Sequence, residues 1–220
     1  MTRIRFRAVL FDWDGTLVDS AEATFRSYVS LFGHFGIAFD RRRFAETYSP
    51  AWQRTYAAVG LAEEHWPEAD RQWLVYYGAE TNTLLPGARS ALERLEAGGL
   101  VLGLVTSGDR ERVTGELLRL GVRLHFQAVV GGGDLAQKKP RPEPLLKALD
   151  LLALRPAEIA YVGDSPEDVQ MTRAAGGFAI GIPGGFPNHE ALAASRPDAR
   201  ATSLDDAVAL LLEGRPVRSS

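Results

Sequence analysis

The sequence predicts an α/β chain, with a mostly parallel sheet covered by helices on both faces and interrupted by an all-helical insertion. Three observations carry that expectation. Short apolar runs alternate with helical patterns from residue 100 onward, and strands that alternate with helices build parallel sheets. A first apolar run, Ala8–Phe11, stands alone before any helical pattern. Between residues 17 and 84 the apolar spacing is helical throughout and nothing reads as a strong strand. The simplest partition is an α/β core of residues 1–16 and 85–220 with a helical insertion of residues 17–84.

The elements follow in order. Ala8-Val9-Leu10-Phe11 is a buried strand that stops at Asp12-Trp13-Asp14-Gly15-Thr16. Phe25, Tyr28, Phe32 and Phe35 then fall at helical spacing, with Asp19 and Glu22 as a capping pair. A second helical stretch carries Phe44, Tyr48, Trp52, Tyr56 and Val59, broken at Pro50. A third carries Trp66, Trp73 and Tyr77. The insertion holds 13 of the chain's 20 aromatics, as the core of a small helical bundle requires. Beyond Pro86-Gly87, a helix around Ala88–Leu95 ends at Gly98-Gly99. Residues 100–105 form a strand, 109–120 a helix closed by Gly121, and 128–130 a short strand. Gly131-Gly132-Gly133 lacks dinucleotide spacing and reads as a flexible turn. A helix over 144–152, a strand over 159–162, a helix over 166–175, a strand over 178–182 and a helix over 204–212 complete the core. Residues 214–220 are expected to fray.

Composition narrows the function classes. The chain has 220 residues, with 25 Lys and Arg against 28 Asp and Glu, a net charge of −3. That balance lacks the clustered basic excess of a nucleic-acid binder. There is no cysteine, which removes disulfides, thiolate nucleophiles and Cys-ligated zinc. The apolar run after Arg3, Arg5 and Arg7 is too short for a signal peptide. No stretch approaches the roughly 18 apolar residues of a membrane span. A cytoplasmic protein is expected. His34, His65, His125 and His189 show no ligand spacing, and no G-x-S-x-G elbow supports a serine hydrolase.

The polar residues that follow the apolar runs are more informative. In an open parallel sheet, ligands bind beyond the carboxyl ends of the strands. The first polar groups after three runs are Asp12, Thr106 and Asp164. Asp12 and Asp14, two apart on extended chain, can share one face, so one can attack while the other moves a proton. With Asp164 they make an oxygen-rich site suited to a hard cation, Mg²⁺ where phosphate is near. Thr106-Ser107-Gly108 ahead of a helix offers a hydroxyl and backbone N–H groups to a phosphate. An ammonium of Lys138-Lys139 could neutralise its charge. Each signal alone has a commoner explanation. A single Asp at a strand end is usually a turn former or helix cap, and adjacent lysines are usually solvated.

Together the four signals resemble a known family. Asp12-Trp13-Asp14-Gly15-Thr16-Leu17-Val18-Asp19-Ser20 resembles the first motif of the haloacid dehalogenase superfamily of phosphotransferases. Thr106 at a strand end resembles its second motif, Lys139 before Pro140-x-Pro142 its third, and Gly163-Asp164-Ser165-x-x-Asp168 its fourth. The insertion is similar to the superfamily's α-helical cap, in the branch of phosphoglycolate phosphatases and β-phosphoglucomutases. The resemblance implies a Rossmann-like core, with Asp12 as nucleophile forming an aspartyl-phosphate and Asp14 as general acid and base. It implies Mg²⁺ on Asp12, Asp164 and the main-chain carbonyl of Asp14. Thr106, Ser107, Gly108 and Lys139 would hold the phosphoryl oxygens, and Asp168 would orient Lys139 or a water on the metal. The family's dehalogenases lack a carboxylate at the place of Asp14, so a phosphatase or phosphomutase is implied. A mutase would need cap arginines such as Arg42, Arg43 and Arg54 to hold a second phosphate. A non-catalytic protein that keeps the fold is a third reading, against which no motif residue is missing. The expected partner is a small phosphorylated metabolite, bound by a monomer, with neither nucleic acid nor membrane involved.

Overall fold

The computed structural model describes residues 6–213. The expected fraying of 214–220 lies outside them. Six strands of the described residues form one sheet: β1 (Ala8–Phe11), β4 (Val101–Asp109), β5 (Ala128–Gly132), β6 (Ile159–Gly163), β7 (Phe178–Gly181) and β8 (Ala199–Arg200). Their order is β5-β4-β1-β6-β7-β8, and every pairing is parallel. The chain moves from β1 through β4 to β5, then returns to the other side of β1 and runs outward again. That reversal opens a crevice at the carboxyl end of β1, where such sheets bind ligands.

Alternation within the strands sorts the helices. Val9, Phe11, Leu102, Leu104, Ala160 and Val162 face α5 (Ala88–Ala97), α6 (Arg110–Arg119) and α10 (Leu204–Glu213). Ala8, Leu10, Val105, Val130 and Tyr161 face α7 (Glu143–Leu152) and α8 (Pro166–Ala175). Strands buried on both faces are apolar at every position, as in Ala8–Phe11.

Between β1 and α5 the chain forms α1 (Ala21–His34), α2 (Arg41–Thr47), α3 (Trp52–Val59) and α4 (Trp66–Gly78). These helices gather a second apolar core around Tyr28, Phe32, Phe44, Tyr56, Trp73 and Tyr77. One residue from outside, Phe186 in the loop after β7, joins that core and stacks on Tyr48 with centroids 4.5 Å apart. Pro50 lies in the break between α2 and α3, where its missing N–H costs no ladder bond. Among the described residues, no helix is long and apolar enough to cross a membrane.

Several expectations need correction. Asp19 is not a cap. It pairs with Thr83 in a two-residue antiparallel ribbon, β2 (Val18–Asp19) against β3 (Thr83–Leu84), where the helical segment leaves and rejoins the core. The N-cap of α1 is Ser20, which makes no side-chain cap bond. Gly131 and Gly132 belong to β5, and only Gly133 turns. The strand expected over 100–105 runs on through a register shift to Asp109. The helix α9 (His189–Ala194) and edge strand β8 carried no clear sequence signal, being short and Ala-rich.

Candidate active site

The backbone directs each polar group to the crevice. Asp12 N–H donates to Val162 O, 3.0 Å, so the first residue beyond β1 stays registered against β6. Gly163 then hands the chain to Asp164. The segment after Asp12 folds back at once, with Thr16, Leu17 and Val18 N–H groups all reaching Trp13 O and Gly15 at φ +79°. Beyond Val105 the Thr106 hydroxyl accepts from Gly108 N–H, 3.0 Å, which leaves its own proton to donate. Asp12, Asp14, Thr106, Ser107, Gly108, Lys139 and Asp164 all line one cavity. Asp168 stands behind it. None of the four histidines lines the cavity.

Lys139 organises the buried half of the site. Its Nζ donates to Asp12 Oδ1 at 2.8 Å, Asp168 Oδ1 at 2.6 Å and the Tyr161 hydroxyl at 2.7 Å. Tyr161 in turn donates to Val105 O, 2.6 Å, and so ties the ammonium to two strands. Asp168 Oδ2 accepts from Ser165 N–H and Oγ–H, so both its oxygens are committed to protein. Lys138 is exposed, whereas Lys139 is buried. Burial alone would lower the Lys139 pKa, but Asp12 and Asp168 hold it above the ordinary lysine value. Burial raises Asp12 to about 7 against the pull of Lys139. Burial, reinforced by Asp12 and Asp168, pushes Asp164 well above the carboxylate range.

Those raised carboxyls describe a site short of positive charge. Oxygens of Asp12, Asp164 and Asp168 lie within 4.8 Å of one another. Asp164 Oδ2 is buried and has no hydrogen-bond partner. A side chain at Gly15 or Gly184 would collide with that oxygen, so the chain keeps the space around it clear. An orphaned buried carboxylate oxygen in an all-oxygen donor set fits a hard divalent cation.

Asp14 is held differently. Arg112 grips it with both terminal nitrogens, Nη2 to Oδ2 at 2.5 Å and Nη1 to Oδ1 at 3.2 Å. Arg112 Nη1 also donates to Glu116 Oε2, 3.0 Å, and Glu116 accepts from Trp13 Nε1, 2.7 Å, and Asn82 Nδ2, 3.3 Å. Asn82 further donates to the Tyr77 hydroxyl, 2.6 Å. Burial would weaken the Arg112 charge, but Asp14, Tyr77 and Glu116 raise its pKa, and the guanidinium stays ionised. This network is absent from the sequence reading. Arg112 lies 98 residues from Asp14, on a charged helix where arginine is unremarkable. Its only local sign is Glu116 four residues on, an ordinary helical pair.

The far wall of the cavity comes from the helical segment: Thr24, Tyr28, Tyr48, Ser49, Trp52 and Trp73, with Pro50 between. The arginines considered for a second phosphate are elsewhere. Arg42 pairs with Glu46, Arg43 donates to backbone oxygens of Ala38 and Val59, and Arg54 reaches Glu167 of α8 at 3.4 Å.

The chain is similar to several known proteins. The family model described as haloacid dehalogenase-like hydrolase matches residues 9–182. A phosphoglycolate phosphatase of Yersinia pseudotuberculosis is 35% identical over 207 residues, 87% of each chain. That of Salmonella typhimurium is 34% identical over 227 residues, 91% of this chain and 90% of its own. A crystal structure of a predicted phosphoglycolate phosphatase from Haemophilus somnus superposes with a TM-score of 0.83 at 27% identity, covering 96% of this chain and 99% of that one.

Proposed function

The chain belongs to the haloacid dehalogenase-like hydrolases and is a phosphatase, and from that premise we propose that it hydrolyses a small phosphomonoester through an aspartyl-phosphate, with Mg²⁺. The phosphoglycolate or a sugar phosphate is the substrate type that its relatives and the resemblance suggest. The observation that carries the proposal is the pair of carboxylates two residues apart at the end of β1, each in a different environment. Asp12 lies against Lys139 in the buried half, and Asp14 faces Arg112 beside the helical wall.

Asp12 attacks phosphorus with a carboxylate oxygen while the bond to the alcohol oxygen breaks. Asp14, as general acid, passes a proton to that departing oxygen. Water then attacks the phosphorus of the aspartyl-phosphate, Asp14 takes the water's proton, and Asp12 is released with inorganic phosphate. Thr106, the N–H groups around Ser107 and Gly108, and Lys139 hold the phosphoryl oxygens, whose charge spreads in the transition state. Asp168 fixes the Lys139 ammonium through its 2.6 Å contact. Asp12, Asp164 and the main-chain carbonyl of Asp14 would hold the cation, which when bound supplies the positive charge that lets an anionic nucleophile meet an anionic phosphate. The helical segment acts as a cap of residues 17–84 on a core of 1–16 and 85–220, shielding the reaction from bulk water. We further infer a cytoplasmic monomer.

Phosphate release from a panel of monoesters, with and without Mg²⁺, tests this reading. Asp12→Asn is expected to keep the fold and lose all turnover. Undiminished release by that variant would remove Asp12 as nucleophile.

A further inference from the structure

Four carboxylates line the cavity: Asp12, Asp14, Asp109 and Asp164. Among the described residues, Asp14 alone of these takes a hydrogen bond from the helical segment, and the donor is Tyr77. Tyr77 stands in the last turn of α4, is 2% exposed and does not line the cavity itself. It lies behind Asp14 and reaches the chemistry only through that carboxylate. Its ring is held in place. It stacks on Trp73 with centroids 4.7 Å apart, and the Arg112 guanidinium sits over it at 4.7 Å.

The direction of its hydroxyl bond is set by its neighbours. Asn82 Nδ2 donates to the Tyr77 oxygen at 2.6 Å, and Arg112 Nη1 donates to it at 3.3 Å. With two donors pointed at the oxygen, the hydroxyl proton is left for Asp14 Oδ1, 3.3 Å away. A carboxylate offers about four lone-pair positions on its two oxygens. On Asp14, Oδ1 accepts from Tyr77 and from Arg112 Nη1, and Oδ2 accepts from Arg112 Nη2. The open position is therefore on Oδ2. That oxygen lies beside the loop after Thr106, since a side chain at Gly108 would come within 3.1 Å of it.

We propose that Tyr77 is a positioning residue for the general acid: its hydroxyl holds Asp14 Oδ1, so that proton transfer to the leaving alcohol runs through Oδ2. This rests on the reading of Asp14 as general acid and adds the residue by which the helical segment sets it up. Arg112 comes from α6 of the core, whereas Tyr77 and Asn82 both belong to the helical segment. The acid is complete only when that segment is seated on the core.

The test measures kcat/KM with Mg²⁺ for propyl phosphate and p-nitrophenyl phosphate. This ratio covers binding through loss of the alcohol, so the later role of Asp14 as base does not enter. An alkoxide needs its proton as it leaves, and p-nitrophenolate needs it much less. Tyr77→Phe keeps the stacked ring and deletes the hydroxyl. It is expected to lower propyl phosphate by about three- to tenfold, the worth of one hydrogen bond, and p-nitrophenyl phosphate much less. An equal fall on both substrates assigns Tyr77 to structure alone and overturns the proposal, as does no fall on either. Should Tyr77→Phe not fold, Asn82→Ala withdraws the 2.6 Å donor and leaves the tyrosine intact. It is expected to shift the ratio of the two substrates in the same direction by a smaller factor, and an unshifted ratio overturns the proposal. Asp14→Asn separates the failures. If it releases phosphate from propyl phosphate at the parent's rate, the general-acid reading falls and the role of Tyr77 with it. No release by the parent from either ester removes the phosphatase reading itself.

Discussion

Arg112 is a residue whose job depends wholly on what it holds. A guanidinium that forks both oxygens of Asp14 fixes the plane and position of the carboxyl proposed as general acid. Lysine supplies the charge without the fork. Arg112→Lys should therefore lower kcat/KM for an alkyl phosphate by about 10- to 100-fold, the scale of a misplaced general acid. The same variant should lose much less on p-nitrophenyl phosphate, whose leaving group departs with little protonation. Equal losses on both would show that Arg112 serves folding alone. Asp12, Thr106 and Asp164 could be found without coordinates, because each is the first polar residue after an apolar run, and Asp14 because it stands two residues beyond Asp12. Arg112, Glu116, Tyr77 and Asn82 could not. Their partners lie far along the chain, and on its own helix or loop each is an ordinary residue. Glu167 is a second residue of this kind. It is 7% exposed, its Oε2 lacks a partner, and burial raises its pKa. A carboxyl whose pKa is raised by folding contributes stability below its unfolded value and loses it as pH rises through the folded one. Glu167→Gln should then melt above the parent at pH 8 and match it at pH 4, where the parent's carboxyl is protonated. Calorimetry at both pH values checks the sign.

At the scale of elements, α6 matters most. Asp109 caps it, accepting from the N–H of Arg112 at 3.0 Å. The cap and the grip on Asp14 thus begin at the same residue pair. Asp109→Ala should cost about 1 kcal/mol, the usual loss for a capping carboxylate, and lower the melting temperature by about 2–4 °C for a chain of this size. Urea unfolding measures it, and an unchanged midpoint would mean that the cap is replaced by water. Helices with a full amphipathic period, α5, α6, α7, α8 and α10, are legible because burial of one face repeats every three to four residues. The six residues of α9 complete too few turns for a period to show. Two-residue strands such as β2, β3 and β8 have no alternation at all, and their pairing is set by tertiary position.

Over the whole molecule, two apolar cores meet along the crevice at the end of β1 and are coupled by polar contacts. Glu116 takes hydrogen bonds from Trp13 beside β1 and from Asn82 on the strand side of the helical segment. Phe186 reaches from the core into the other unit. The overall α/β plan is readable from composition and order because each unit buries its own face. The contacts between units, the Glu116 hydrogen bonds and the Phe186–Tyr48 stack, join residues far apart in the chain, which is why the sequence is silent about them. Substitution of Asn82 by Ala should lower stability by about 1–3 kcal/mol, through the Glu116 Oε1 left unpartnered and the Tyr77 hydroxyl left with only its longer contacts to Asp14 and Arg112. A chemical denaturation curve reads the loss.

The ribbon of β2 and β3 has a further consequence. Asp19 and Thr83 are register partners, so the whole helical segment departs from and returns to one spot, as a plug sits in a socket. Joining those two residues by a two-residue Asn-Gly turn would close the socket with ordinary hairpin geometry. The shortened chain should retain the helical and strand signal of its sheet unit and melt cooperatively. If the core breaks the phosphate ester as proposed, such a plan lets the helical segment be exchanged, lengthened or lost over generations while that chemistry is inherited untouched.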